Sequence, residues 1–160
     1  MEASMLELEI PGFGTVRADH LVSDFTGTLA VDGKLLYGVE ERLVVLAKSL
    51  KIHVVTSDTL GVVRSEMNGL PCILHILSGT DHDLQKEEYV RKLDPGKVIA
   101  IGNGKNDRRM LKAARIGIAV SGSEGCAVDA LLNADIHARS AAEGLDLLMH
   151  PNRVKATLRF

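Results

Sequence analysis

The stretch Leu21-Val22-Ser23-Asp24-Phe25-Thr26-Gly27-Thr28-Leu29 decides how this chain is read. An apolar run stops at one carboxylate, Asp24, and passes at once into a small-residue turn, Thr26-Gly27-Thr28. An apolar strand that delivers a single acid into a hydroxyl- and glycine-bearing loop is a poor design for a core and a good one for a phosphate site. Helix capping accounts for many polar residues after strands, but a cap has no need of two threonines around a glycine immediately behind it.

The same punctuation recurs outward from this stretch. Residues 20–23 form a strand ending at Asp24, and residues 52–55, 72–77, 98–101 and 116–120 are short apolar runs that read as further buried strands. Between them lie helical patterns. Residues 39–50 place Leu43, Leu46, Ala47 and Leu50 at helical spacing, with Glu40, Glu41, Arg42 and Lys48 outside. Helices are also predicted over 60–67 behind the capping run Thr56-Ser57-Asp58-Thr59, over 84–93 ahead of Asp94-Pro95-Gly96, and over 108–114, 124–132 and 141–149. Residues 30–38 read as a short connection with Asp32-Gly33 as its turn, and 134–138 as a short edge strand. At the N-terminus, residues 5–10 alternate apolar with glutamate and precede Pro11-Gly12-Phe13-Gly14, so they pair with residues 15–18 as a β-hairpin or edge strand.

Strands of four to six residues alternating with helices of about ten indicate repeated βαβ units and a parallel sheet covered on both faces. The expected class is therefore α/β, a three-layer α/β/α Rossmann-like fold with a mostly parallel central sheet, preceded by the hairpin. At 160 residues the chain fits one domain, 1–160, that can bury a core without staples. Its formal net charge of −2 gives no reason to expect nucleic acid, and aromatics at 3% with no Trp remove the stacking surface that single strands need. Cys72 and Cys126 lie far apart, with no partner at metal-ligand spacing, and read as buried reduced thiols. No apolar stretch approaches the roughly 18–20 residues needed to span a bilayer, and the first residues, MEASMLELEIPG, are acidic where a signal peptide is basic. A cytoplasmic protein with no membrane partner is expected.

Ligands of open parallel sheets bind beyond the carboxyl ends of the strands. That rule puts three polar clusters on one sheet edge: 24–28, 56–58 and 103–107. Neither a dinucleotide fingerprint nor a P-loop is present, since Gly102-Asn103-Gly104-Lys105-Asn106-Asp107 lacks the third glycine of the one and GxxxxGK[ST] occurs nowhere. A GxSxG serine elbow is missing as well.

Asp24-Phe25-Thr26-Gly27-Thr28-Leu29 resembles the DKTGTL phosphorylation motif of P-type ATPases, members of the haloacid dehalogenase-like superfamily of aspartyl-phosphate enzymes. Thr56-Ser57-Asp58 is similar to their TGD segment, and residues 102–107 to their GDGxND hinge motif, in the same order across residues 20–138. With no membrane helices or separate nucleotide-binding domain, the chain looks like a free-standing phosphorylation domain, a capless phosphatase of that superfamily.

The resemblance implies a Mg²⁺-dependent phosphohydrolase in which Asp24 attacks phosphorus to give an aspartyl phosphate. Two anions must approach, so a divalent cation is needed to neutralise charge. Mg²⁺ suits an oxygen-only site made of the Asp24 carboxylate, the Thr26 backbone carbonyl, waters and a ligand from Asn103 or Asp107. Thr56 is expected to donate its hydroxyl to the phosphoryl group, with Gly27, Ser57 and Asn106 also binding substrate, while Asp58 caps its helix. A lysine usually stabilises the phosphoryl group in this superfamily. Lys97 and Lys92 fall at the far end of the sheet, whereas Lys86 lies near the start of a helix at the correct edge; Lys105 is held in reserve.

Two positions depart from the family pattern. Thr26 stands where most phosphatases of the superfamily carry an acid-base aspartate, and a positioned acid or base contributes about 10²–10⁴ in rate. Slow turnover, a long-lived phosphoenzyme and a preference for acyl or aryl phosphates are expected. Asn103 stands where the motif normally offers a carboxylate, which lowers metal affinity and leaves Asp107 a larger share. The alternative is a catalytically weak phosphate- or partner-binding module that kept the fold. The connections 30–38 and 78–83 are too short for a cap domain, so the substrate is a phosphorylated small molecule or macromolecule reaching an open site, with a homo-oligomer supplying a lid as one arrangement. His82 reads as a solvated loop residue; His20, His53 and His75 as hydrogen-bonded strand residues; and the basic tail with Arg153, Lys155 and Arg159 as a solvated terminal helix.

Overall fold

A computed structural model describes residues 5–160. The first four residues, part of the acidic segment that argued against a signal peptide, lie outside the described residues. The chain opens with an antiparallel hairpin, β1 (Leu6–Ile10) and β2 (Gly14–Ala18), whose inward side chains Leu8, Ile10, Val16 and Ala18 join the core. The other strands are β3 (His20–Ser23), β4 (Ala30–Val31), β5 (Lys34–Leu35), β6 (Lys51–Thr56), β7 (Cys72–Ile76), β8 (Val98–Gly102), β9 (Ile116–Val120) and β10 (Ile136–Ala138). The helices are α1 (Val39–Leu46), α2 (Val63–Glu66), α3 (His82–Lys92), α4 (Arg108–Ala113), α5 (Val128–Leu132), α6 (Ala141–Met149) and α7 (Pro151–Leu158).

Six strands form one sheet in the order β10-β9-β8-β3-β6-β7, with every pairing parallel. Parallel strands need crossovers, and those put helices on both faces. Every residue of β8 and β9 is accordingly buried. One core cluster packs α1, α2, α6, α7 and the hairpin on one face; a second gathers Val22, Val55, Val90, Met110, Leu111 and Ala130 under α3, α4 and α5 on the other. The predicted three layers and N-terminal hairpin are what the structure shows. From β3 the chain moves outward to β6 and β7, then returns to the opposite side for β8, β9 and β10. The strand order thus reverses between β3 and β8, the place where loops part and leave a crevice.

Several boundaries differ from expectation, each for a local reason. The connection 30–38 contains the hairpin β4–β5, because Asp32 at φ 52 and Gly33 at φ 80 fold it back on itself. The helix expected over 60–67 shortens to α2, since the Asp58 carboxylate accepts from the Val62 and Val63 N–H groups at 2.9 and 3.0 Å and so fixes its start. The helix expected over 124–132 begins only at Val128, because the chain before it is held in loop form against Asn103. His82 is the first residue of α3 rather than a loop residue. The tail is a helix, but not a wholly solvated one: Val154 is fully buried, and the Phe160 N–H donates to the Pro11 carbonyl. Cys72 and Cys126 are free and only partly buried.

Of the strand histidines, His53 is buried, with Nδ1 at 2.7 Å from the Tyr89 hydroxyl and Nε2 at 3.0 Å from His20 Nδ1. His75 is instead exposed and packs its ring on Tyr89, 5.1 Å between centroids. Burial first, then the neighbouring His20 and Lys51, hold His53 down to about 4 from its ordinary 6.5. Its neutral form therefore stabilises the fold fully above pH 6.5, and that contribution is lost as pH falls from 6.5 through 4. Replacing His53 with Gln should flatten the acid side of the stability curve by on the order of 1–2 kcal/mol. Urea midpoints of both proteins at pH 7.5 and 4.5 check this; parallel changes would contradict it.

Candidate active site

The crevice between β3 and β8 gathers the three polar loops. Asp24 follows β3 directly, its N–H donating to the Ile101 carbonyl of β8 at 3.1 Å, so the sheet itself places the carboxylate. It is 6% exposed. Its Oδ1 accepts from Lys86 Nζ at 3.0 Å, and its Oδ2 from the Thr28 hydroxyl at 3.2 Å.

Lys86 projects from the first half of α3 and is 1% exposed, so it is no solvated helix lysine. Its ammonium meets three acceptors, Asp24 Oδ1, Asp107 Oδ1 at 2.7 Å and Asn106 Oδ1 at 3.3 Å, one for each proton it carries. Burial alone would lower this ammonium, but Asp107 and Asp24 outweigh it and hold it raised. Asp24 is pushed up to about 7, by burial first and by Asp107 second, against the pull of Lys86. Two carboxylates around one cation leave the cluster short of positive charge, the electrostatic condition that a divalent cation relieves.

Asp107 is fully buried, and its carboxylate is already committed: Oδ1 to Lys86, Oδ2 to the N–H groups of Asn103 and Gly104 at 3.1 and 2.9 Å. It shapes the 102–107 turn and holds Lys86. Asn103 is 9% exposed, with Oδ1 at 3.1 Å from the Thr28 hydroxyl. A Cβ on Gly27 would fall 2.4 Å from Asn103 Nδ2, so the loop after Asp24 can pass this side chain only as glycine.

An open cleft of about 440 Å³ is lined by Asp24, Thr26, Thr56, Ser57, Thr59, Asn103, Gly104, Lys105 and Asn106. A larger hollow of about 560 Å³ beside α3 and α4 and a smaller one of about 390 Å³ along β10 hold none of the three loops and lie apart from this chemistry. Thr56 is buried, and its Oγ1 accepts from the Asp58 N–H at 3.1 Å, which leaves the hydroxyl proton for a ligand. Ser57 Oγ lies 3.1 Å from Thr59 Oγ1. Because Lys86 can only donate, it turns Asn106 Oδ1 inward and leaves the amide hydrogens for an anion. Lys105 is 72% exposed and 3.4 Å from Asp129, so it sits at the rim. Of the residues singled out in sequence, Asp24, Thr26, Thr56, Ser57, Asn103 and Asn106 line the cleft, Lys86 and Asp107 are bonded behind Asp24, and Gly27 packs on Asn103 with its N–H donated to the Ala30 carbonyl at 2.8 Å. Thr28 was missed as a hydrogen-bond partner of Asp24; its spacing four residues past the acid, inside a turn, was the available signal.

Asp24, Thr26 and Asn103 line the same cleft; the Asp24 carboxylate and Asn103 Oδ1 share the Thr28 hydroxyl, and the Thr26 carbonyl accepts no hydrogen bond among the described residues. An all-oxygen set of this kind fits a small hard cation such as Mg²⁺.

Fold and site together have the arrangement of the haloacid dehalogenase-like superfamily, and a family model described as haloacid dehalogenase-like hydrolase matches residues 84–130. An uncharacterized protein of Methanocaldococcus jannaschii is 47% identical over 73 residues, covering 45% of this chain and 78% of the relative. A phospholipid-transporting ATPase of Caenorhabditis elegans is 53% identical over 38 residues, 24% of this chain and 3% of that protein. Among solved structures, a 3-deoxy-D-manno-octulosonate 8-phosphate phosphatase from Vibrio cholerae, so described provisionally, superposes with a TM-score of 0.67 at 14% identity, covering 94% of this chain and 97% of that one. The same kind of phosphatase from Moraxella catarrhalis, solved with magnesium, phosphate and its sugar acid, gives 0.63 at 20% identity, covering 86% and 90%. The fold is therefore that of superfamily phosphatases. Among the described residues no helix is long and apolar enough to cross a membrane.

Proposed function

We propose that this protein is a Mg²⁺-dependent phosphohydrolase acting through an aspartyl phosphate on Asp24. One observation carries the reading: a buried carboxylate at the switch point of the sheet, held by a buried lysine that also binds Asp107. A bound divalent cation supplies charge neutralisation between the carboxylate and the phosphoryl group, and Asp24, the Thr26 carbonyl and Asn103 would hold it. Asp107, spent on Lys86 and two N–H groups, supports the site from behind.

Asp24 forms a bond to phosphorus while the bond from phosphorus to the leaving oxygen breaks. Lys86 supplies positive charge beside the phosphoryl group, and the Thr56 hydroxyl and the Asn106 amide supply hydrogen bonds to its oxygens. Water then attacks the aspartyl phosphate, releasing phosphate and regenerating the carboxylate. Thr26 cannot readily trade protons near neutral pH, so leaving groups must depart unaided, which favours acyl and aryl phosphates and slows the second step. The short match to a lipid-transporting pump supports this kinship with P-type phosphorylation domains. The open cleft admits either a small phosphate ester or a phosphorylated macromolecule, with no nucleic acid or membrane partner; location in the cytoplasm belongs to the same reading.

Incubation with acetyl phosphate or an aryl phosphate and Mg²⁺ tests it. Wild type should hydrolyse the substrate and Asp24→Asn should not, a loss of at least about 10³-fold. Equal background rates in both would leave the phosphate-binding module as the better description, which Asn103 and Thr26 favour.

A further inference from the structure

We propose that Asn103 is a positioning residue with two separate ends. Its carbonyl end faces the nucleophile loop, and its amide end ties the 121–127 loop, and through it the β4–β5 hairpin, to the metal side of the cleft. The side chain cannot be turned around. Nδ2 donates to the Gly125 carbonyl at 3.1 Å, and a carbonyl can only accept, so the amide must face Gly125 and Oδ1 must face Thr28. The Asn103 backbone carbonyl accepts from the Ala127 N–H at 2.8 Å, giving the loop a second hold on the same residue.

From there the connection continues. Glu124, one residue before the tethered carbonyl, accepts from the Asp32 N–H at the tip of the β4–β5 hairpin at 3.3 Å. The loop is held at its ends, by the Ser121 N–H on the Ala138 carbonyl at 3.0 Å, the Ser121 hydroxyl 2.7 Å from His137 Nε2, and Cys126 and Ala127 packed on the core, but its exposed middle, 122–125, has no buried side chain of its own. Within it, the Gly125 N–H bonds to Gly122, a local turn that fixes no distance to the cleft. The Asn103 bonds do fix that distance.

An aspartate at 103 keeps an oxygen toward Thr28 but presents a second oxygen to the Gly125 carbonyl, acceptor against acceptor. The change that supplies a metal-binding charge therefore frees the Gly125 end of the loop while the Ala127 backbone bond remains, and no residue with a carboxylate alone performs both tasks. The metal half of this inference rests on the phosphohydrolase reading; the tether does not.

Hydrogen exchange on metal-free protein and Mg²⁺ titration by calorimetry test it on wild type, Asn103→Asp and Asn103→Ala. Amides in 121–127 should exchange roughly five- to tenfold faster in both variants, while β8 and β9 stay protected. Affinity for Mg²⁺ should rise about tenfold in Asn103→Asp and fall in Asn103→Ala, opposite movements that a merely structural asparagine would not give. In Glu124→Ala the hairpin tip alone should exchange faster, with Mg²⁺ affinity unchanged. Unchanged exchange in 121–127 in both Asn103 variants, or weaker Mg²⁺ binding by both, overturns the proposal. Absence of Mg²⁺ binding by wild type overturns the metal-dependent reading and the carbonyl-end role, and the exchange data alone then decide the tether.

Discussion

Lys86→Met is expected to cut phosphohydrolase activity by about 10²–10³-fold and to destabilise the protein by roughly 3–5 kcal/mol. A solvent-exposed helix lysine would give neither effect. Here the ammonium is 1% exposed and is the cation between Asp24 and Asp107, so its removal leaves two buried carboxylates facing each other. One must then take up a proton. Asp24 is already pushed up to about 7, by burial and then by Asp107, with Lys86 as the chief opposing influence; without Lys86 it moves higher. A carboxyl raised in the folded state contributes stability that is fully present below its unfolded value, about 4, and is lost as pH rises through the folded value. The deficit of Lys86→Met against wild type should therefore be smaller at pH 5 than at pH 8. Urea unfolding of both metal-free proteins at those two pH values measures it, and an equal deficit at both would contradict the pairing.

Gly102→Ala should be nearly as harmful although it removes no functional group. A Cβ at Gly102 would lie 2.5 Å from Asp107 Cγ and 2.6 Å from Oδ2, too close for either to stay. Displacing Asp107 breaks its bonds to the Asn103 and Gly104 N–H groups and to Lys86 together, so overpacking of about 2–3 kcal/mol comes with a loss of activity that follows Lys86. Gly104 provides the internal comparison. Its Cβ would meet Asn106 Oδ1 at 3.3 Å and Asp107 Oδ2 at 3.5 Å, and its φ of −99 is ordinary, so Gly104→Ala should cost less than about 1 kcal/mol. Thermal unfolding and acetyl phosphate hydrolysis of the pair check the contrast; similar behaviour of both variants would show that the Asp107 contact is not what Gly102 protects.

Much of this site is legible along the chain because parallel sheets impose a direction. Residues 20–23, 52–55 and 98–101 read as strands joined by helices, so their following loops share an edge, and Asp24, Thr56 and Asn103 fall together on it from the chain order alone. Lys86 followed from the same rule, since the first half of a helix after a strand returns from that edge. Where local hydrogen bonds overrule pattern, the reading fell short. The β4–β5 hairpin rests on backbone dihedrals at Asp32 and Gly33, and the late start of α5 on a bond from Ala127 to Asn103, a residue 24 positions away that no window around residue 127 contains.

The division between the two sources has one physical origin. Periodicity, turn chemistry and strand direction are properties of a few consecutive residues, so the sequence by itself determined the α/β class, the edge that carries the polar loops and the residues on it. Which atom satisfies which depends on distances across the sheet. Only the tertiary structure decided that Asp107 is consumed by Lys86 and two N–H groups, that Thr28 stands between Asp24 and Asn103, and that Asn103 holds Gly125. A buried polar group must find a partner, and which one it finds is fixed by packing rather than by its neighbours in the chain.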